Sequence, residues 1–514
     1  MRLGAIFKKK NKQKSKDSGQ ENFTVDIEKN LDKNLANLRK MLEEPNDLVV
    51  REVPIGNTRS AVVYIEGMID KAFVHKNILN KLQEYQTDAD DSRKILEEIF
   101  EETITVADVQ KGKTLDDAAN ALLSGSTVVY IDGARQVLIM GTRGWETRAI
   151  EKPTTESALR GPKEGFVESL RTNMTLVRRQ IRDPNLRFKT YYVGRRSKKK
   201  LVLSYVDGVI HPDIVKELHR RLQSIDMDFA PESGYIEQWI EDSFLSPFPQ
   251  ISNTERPDKV AAALLQGKAA IILDGTPFVL LAPVTLGSTL QSPDDYYERW
   301  TIGTLLRTLR YGAAFIAIFL PGLYIALASY HPGMIPSDLA FSIGASRQGV
   351  PFPAFIEALL MSLTMELLRE AGARLPRNIG QTIGIVGGLV IGEAAVTAGI
   401  VSPIMVIVVA LNAIASFAIP EYSVAISFRI LLFGFMIAAA FLGLYGIILA
   451  YIMVNIHIVN LKSVGVPYSA PFAPSFFRDW TDLVLRLPVP LLTTRPKYLQ
   501  TNDRTRTGKG DTDA

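Results

Sequence analysis

Four polar side chains lie in or beside apolar stretches where such groups are costly: Glu357, Glu366, Glu393 and Asn412. A carboxyl in that setting either handles ions or protons, or is held by hydrogen bonds inside a helix bundle. Both readings stand for Glu393, which is the one charge in the run 382–420. Asn412 can line a pore with its amide or bond to a neighbouring helix. Glu357 and Glu366 fit an inner bundle face, a water-lined path or an amphipathic helix at an interface. Gly384, Gly388 and Gly392 recur every four residues just before Glu393. This small-xxx-small spacing lets helix backbones approach closely and points to helix packing or oligomerisation.

Enzymatic constellations are missing from the sequence. Gly112-Lys113-Thr114 resembles the end of a phosphate-binding loop, but that loop also needs a glycine where Ala107 stands. The five histidines have no metal-ligand spacing, and no serine sits in a GxSxG elbow. With no cysteine, disulfides and thiolate metal sites are ruled out. The chain is therefore expected to be neither an enzyme nor a carrier of a cofactor or metal.

The elements that must position these residues divide sharply by composition. Charged residues make up 22% of the 514-residue chain, yet the runs 311–330 and 430–454 carry none. A hydrocarbon core of roughly 30 Å needs about 20 apolar residues per helix, so these runs and 382–420 fit bilayer spans. The run 382–420 is long enough for two spans meeting at Ser402-Pro403, and 353–368 is a further candidate. That gives four to five segments within 299–460. The fold class expected is a soluble α/β N-terminal domain of two similar subdomains, followed by an all-α polytopic membrane domain.

The soluble part carries an internal duplication. Ala61-Val-Val-Tyr-Ile-Glu-Gly67 recurs as Val202-Leu-Ser-Tyr-Val-Asp-Gly208, and Val128-Val-Tyr-Ile-Asp-Gly133 recurs as Ala270-Ile-Ile-Leu-Asp-Gly275. The offsets, 141 and 142 residues, nearly agree. Apolar runs ending in acid-Gly read as strands entering tight turns. The expected organisation is a basic disordered arm (1–22), a first α/β subdomain with a preceding helix (23–150), a basic connector (151–195), a second subdomain (196–298), the helical membrane domain (299–460) and a cytoplasmic tail (461–514).

The connector's arginines and the basic arm suit lipid head groups, a partner subunit or solvent. Nucleic acid is disfavoured, because aromatic stacking platforms are not interleaved with the charge. Arg299, Arg307 and Arg310 precede the first span, and 331–345 beyond it has no Lys or Arg. The positive-inside rule then keeps the N-terminal domain cytoplasmic. Lys462, Arg478, Arg486, Arg495 and Lys497 put the tail on the same side, which requires an even number of full spans. With five candidates, one is expected to be re-entrant or interfacial. Pro321-Gly322 is expected to kink or break the first span.

Several longer stretches resemble the GerA-type spore germination protein family. They are Glu156-Ser-Ala-Leu-Arg-Gly-Pro-Lys-Glu-Gly-Phe166, Ser346-Arg-Gln-Gly-Val-Pro-Phe-Pro353, Arg374-Leu-Pro-Arg-Asn-Ile-Gly380, Ala470-Pro-Phe-Ala-Pro474 and Thr494-Arg-Pro-Lys497. The resemblance implies the A subunit of a nutrient germinant receptor in the spore inner membrane. It implies a transporter-like B subunit and a lipoprotein C subunit as partners. It also implies a homo-oligomer, a pentamer in the family's picture, that forms a cation channel starting germination. A paralogue that amplifies ion release without sensing a nutrient is a further reading. Two other function classes stay open: a secondary transporter, and a non-conducting membrane scaffold. The family supplies no catalytic residues to carry over.

Overall fold

The computed structural model describes residues 25–42, 45–56, 58–85, 91–103, 108–144, 153, 156, 160–375, 388 and 390–507. The chain divides into two compact units, Met1–Arg148 with Ile181–Arg187 and Ala149–Gln180 with Phe188–Ala514.

The first unit is built on one five-stranded sheet. Helix α1 (Leu31–Met41) precedes strands β1 (Leu48–Ile55) and β2 (Thr58–Ile65); then come β3 (Val109–Gly112), α2 (Leu115–Leu123), β4 (Thr127–Ile131) and β5 (Val137–Met140). The spatial order is β1-β2-β4-β5-β3, with antiparallel register that sets Ala61 opposite Tyr130. Alternation along the strands feeds two cores. Ala61, Val63 and Tyr130 pack under α1 and α2 on one face, and Val62, Val129 and Leu138 pack under helical segments at 71–84 and 92–98 on the other. α2 starts where it does because Thr114 and Asp117 form a reciprocal capping box.

The second sheet repeats this plan. It comprises β6 (Leu186–Val193), β7 (Lys199–Val206), β8 (Ser252–Thr254), β9 (Ala269–Leu273) and β10 (Val279–Ala282), ordered β6-β7-β9-β10-β8. Its helices are α3 (Leu170–Gln180), α4 (Pro212–Gln223), α5 (Ser233–Ile240) and α6 (Pro257–Leu265). The repeat extends further than the strands. Asp132 Oδ1 accepts from the Leu31 amide in the first copy, and Asp274 Oδ1 accepts from the Leu170 amide in the second. Asn34 clasps the backbone of Glu28 as Asn173 clasps that of Val167. Helix α3, assigned from the sequence to the connector, is thus the counterpart of α1 and the opening element of the second subdomain.

A helix bundle follows in the same unit: α7 (Trp300–Tyr330), α8 (Ser337–Arg347), α9 (Ala354–Arg374), a helical segment within 388–397, α10 (Pro403–Phe417) and the stretch Tyr422–Asn460. α7 runs through Pro321 as one helix. Gly322 lies where a Cβ would come within 3.3 Å of the Phe435 carbonyl oxygen, so α7 packs closely on the Tyr422–Asn460 stretch. By length and apolarity two elements, Trp300–Tyr330 and Tyr422–Asn460, could each cross a membrane.

The stretch Tyr422–Asn460 does not run straight. Gly443 has φ 58° and ψ −139°, a conformation that only glycine adopts without strain. Ser427 Oγ donates to the Pro247 carbonyl, and His457 Nε2 hydrogen-bonds the Ser246 hydroxyl at 2.8 Å. In a straight helix, residues 427 and 457 would stand about 45 Å apart at ~1.5 Å per residue. They bind adjacent residues of one loop instead. The run 430–454, read from the sequence as one span, is therefore a hairpin of two helices, α11 (422–442) and α12 (444–460). Its tip at Gly443 meets Tyr330 and His331 at the end of α7.

Candidate functional site at the foot of the bundle

Contacts define two ends of the bundle. At the domain end, the α/β sheet, the first turns of α7 and the returning tail lock together around buried charge. Asp295 is fully buried and pairs with Arg307 Nε at 2.9 Å and with Arg310 at 2.7 Å. Arg307, only 1% exposed, also donates to the Asp482 carbonyl at 2.7 Å. Arg486 donates to the carbonyls of Tyr296 and Glu298, and both guanidinium groups lie over the Tyr296 ring. Two arginines from distant parts of the sequence therefore clamp the segment that enters α7. Charge-assisted bonds of this kind are directional and strong.

The tail is a folded part of this site. Ser463 Oγ donates to the Gln250 carbonyl and accepts from the Val284 amide. Val464 and Val466 enter the core of the second subdomain, and Asn502 N reaches the Val209 carbonyl at 3.1 Å. Ser463, just after α12, is thereby bonded to the residue following β10 by two positions and to the loop before β8.

Beside the clamp is a cavity of about 260 Å³. Lys259, Lys268, Tyr296, Tyr297, Ser288 and Glu421 are among its lining residues. Lys259 pairs with Glu156 at 2.8 Å. Burial pushes the Lys268 ammonium down to about 8. Burial also lifts the Glu421 carboxyl above its ordinary range, while Lys259 and Lys268 pull against it. Glu421 occupies the N-cap position of α11 without a side-chain capping bond, so this cavity adjoins the start of the hairpin.

The acids singled out in the sequence occupy distinct positions. Glu357 is fully buried at the distal end, where it accepts from Arg347 Nε at 3.2 Å and from the Ser402 amide at 2.9 Å. It joins α8, α9 and the start of α10. Glu366 sits near the domain end and pairs with Arg369 and Arg429, each at 2.8 Å. Asn412 is buried, and its Nδ2 donates to the carbonyls of Ile316 and Ala317 in α7. Glu393 is exposed on the bundle surface and has no hydrogen bond or ion pair among the described residues. Gly392 on the same helix faces inward, with Val406 Cγ1 3.6 Å from a built Cβ, whereas Gly388 meets nothing within 4 Å. Gly384 lies outside the described residues. The structure thus brings Glu357 to Ser402 and Asn412 to α7 but does not gather the four polar residues into one site.

Sequence reasoning missed the buried clamp. Arg307 and Arg310 were read as topogenic charge, and nothing in their spacing announces Asp295, Asp482 and Arg486 as partners. The one available signal was the concentration of acids in the short stretch 294–298 just before a span.

A profile of the Bacillus/Clostridium GerA spore germination protein matches residues 36–498. Spore germination protein GerLA of Bacillus cereus is 52% identical over 485 residues, covering 94% of this chain and 98% of that one. Spore germination protein A1 of Bacillus subtilis is 42% identical, covering 93% and 98%. Spore germination protein KA of Bacillus subtilis is 43% identical, covering 94% and 89%. A solved N-terminal domain of the A subunit of the Bacillus megaterium spore germinant receptor GerK3 is 34% identical; it covers 51% of this chain and 97% of that one, with a TM-score of 0.40. The chain belongs to the GerA spore germination protein family.

Proposed function

We propose that this chain is the A subunit of a spore germinant receptor and that copies of it assemble in the membrane into a cation channel that triggers germination. Family membership over most of the chain and the names of its relatives support the receptor role. On this reading a transporter-like B subunit and a lipoprotein C subunit are its partners, and the inner membrane of the spore is its site. The helix bundle is the membrane domain.

One observation carries the channel reading. Glu393 sits on the outside of an apolar bundle with no hydrogen bond or ion pair among the described residues. An ionised side chain on a lipid-facing helix centre costs about 3 kcal/mol. A neighbouring protomer or a water-filled path removes that cost, and a ring of such acids attracts cations. Gly388, with open space at its Cβ, supplies a flat patch for close approach on the same helix. Asn412 and Glu357 then hold helices in place, and the clamp at Arg307 relays motion between the α/β domain and the bundle.

Cation flux into liposomes carrying the purified protein tests this reading. Glu393→Gln keeps shape and hydrogen bonding but removes charge. We expect at least a tenfold loss of flux with assembly intact, and delayed germination of spores carrying the variant. Parental flux and selectivity in the Gln variant would remove Glu393 from the pathway.

A further inference from the structure

We propose that the loop 241–250 of the second α/β subdomain inserts into the lipid interface through Phe244 and Leu245, so that the domain is seated on the membrane as well as tethered to it. The inference rests on reading the helix bundle as membrane-embedded. Phe244 and Leu245 are 82% and 83% exposed at the tip of a turn. Two large adjacent apolar side chains at a loop tip are a poor match for water.

The loop beneath them is built to hold that position. Gln250, 1% exposed, accepts from the Ser243 amide at 2.9 Å and donates to its carbonyl at 2.7 Å, closing the base. Asp242 is held by Arg221 at 2.7 Å and by the Val464 amide at 2.7 Å. Phe248 is buried against His457 and Tyr468. The tip is therefore presented by a fixed frame.

The level of the tip follows from its neighbours. Ser246 bonds His457, three residues before the end of α12, and Pro247 accepts from Ser427, five residues into α11. Phe244 and Leu245 thus stand beside the first and last turns of the apolar hairpin. Tyr422, 67% exposed, and Trp300, 47% exposed, open α11 and α7 at this same end. Aromatic side chains at such a level suit the boundary between head groups and acyl chains. A lipid surface is the occupant that the adjoining apolar helices already require, whereas a protein partner would need a further surface at the same level.

The chain has no cysteine, so single cysteines report cleanly. Leu245→Cys, Phe441→Cys and Lys216→Cys, each carrying a fluorophore, would be placed in nanodiscs containing lipids with nitroxide at the head group or deep in the acyl chain. Phe441 lies near the hairpin tip and Lys216 on α4. We expect head-group nitroxide to quench position 245 at least threefold more than position 216, and acyl nitroxide to quench position 441. Quenching at 441 with none at 245 would overturn the seated loop while leaving the membrane bundle intact. Absence of lipid quenching at both would overturn the bundle reading itself. Protection of 245 from both lipid nitroxide and aqueous iodide would assign the loop to a protein contact and sink the proposal.

Discussion

Asp295 neutralises two arginines in a place where water cannot. Removing one member of a buried ionic group leaves the others uncompensated, which costs about 3–5 kcal/mol. Asp295→Ala should therefore destabilise the protein by about that amount in detergent, read as a fall in thermal midpoint. Glu370→Ala should cost under ~0.5 kcal/mol, since its pair with Arg374 is solvent-exposed. Equal effects would deny the clamp its structural weight. A second residue, Glu237, is expected to make stability depend on pH. Burial first, and then the charges of Glu241, Glu421 and Glu232, push its carboxyl up to about 8. Its folded value thus exceeds an unfolded value of about 4.3. The folded state holds this proton more tightly, so the stabilisation is full below about pH 4 and is lost as pH rises to 8. Glu237→Gln mimics the protonated form. Its thermal midpoint should match the parent at pH 4.5 and exceed it by ~2–4 °C at pH 8. A difference independent of pH would refute the assignment. Isolated acids in apolar runs were legible in the sequence because their cost is intrinsic to the residue. Their partners were not, because Ser402 and Arg429 reach Glu357 and Glu366 only through tertiary packing.

Among the elements, the duplicated strands could be read directly, since burial on both faces writes a near-continuous apolar run and acid-Gly turns end it. Both sheets carry the same strand order, and Gly133 and Gly275 both take positive φ where the turns need it. The counterpart relation of α1 and α3 is hard to read because the two eleven-residue helices match at only three positions, Leu31/Leu170, Asn34/Asn173 and Arg39/Arg178. The hairpin at Gly443 escaped for a different reason: a glycine in an uncharged apolar run carries no mark of its dihedral angles. Substitution exposes it. At Gly443, alanine must adopt φ 58° and places a Cβ 2.9 Å from His331 Cε1. Strain of this kind costs of order 1–3 kcal/mol. Gly443→Ala should lower the yield of folded protein and its thermal midpoint. Gly434→Ala, in α11 with no atom within 4 Å of the new Cβ, should not. Parental behaviour of Gly443→Ala would mean that the two helices do not turn back there.

At the scale of the molecule, the hairpin changes the count of candidate crossings. Starting from the Asp295–Arg307 clamp, α7 runs away from the α/β domain to His331. α9 returns from Glu357 to Glu366, and α10 runs from Ser402 at the distal end back to Phe417. α11 and α12 go out to Gly443 and return to Ser463. With the bundle read as the membrane domain, we infer that the hairpin adds one crossing to the five segments read from the sequence, an even total that fits the basic flanks. Cation placement agrees: Arg299, Arg310, Arg369, Arg374, Arg429 and Lys462 lie toward the domain end, while Arg347, paired with Glu357, lies at the distal end. If the bundle spans the membrane as proposed, this asymmetry predicts a cytoplasmic domain end. Single cysteines at Ser224 and Ser475 should then resist an impermeant thiol reagent in intact cells and react after permeabilisation. A cysteine at Phe341, 78% exposed on α8, should react from outside in both conditions. Labelling of Ser224→Cys in intact cells would invert the orientation. Labelling of Ser475→Cys but not Ser224→Cys would place the tail across the membrane from the domain, contrary to the bonds of Ser463 to Gln250 and Val284.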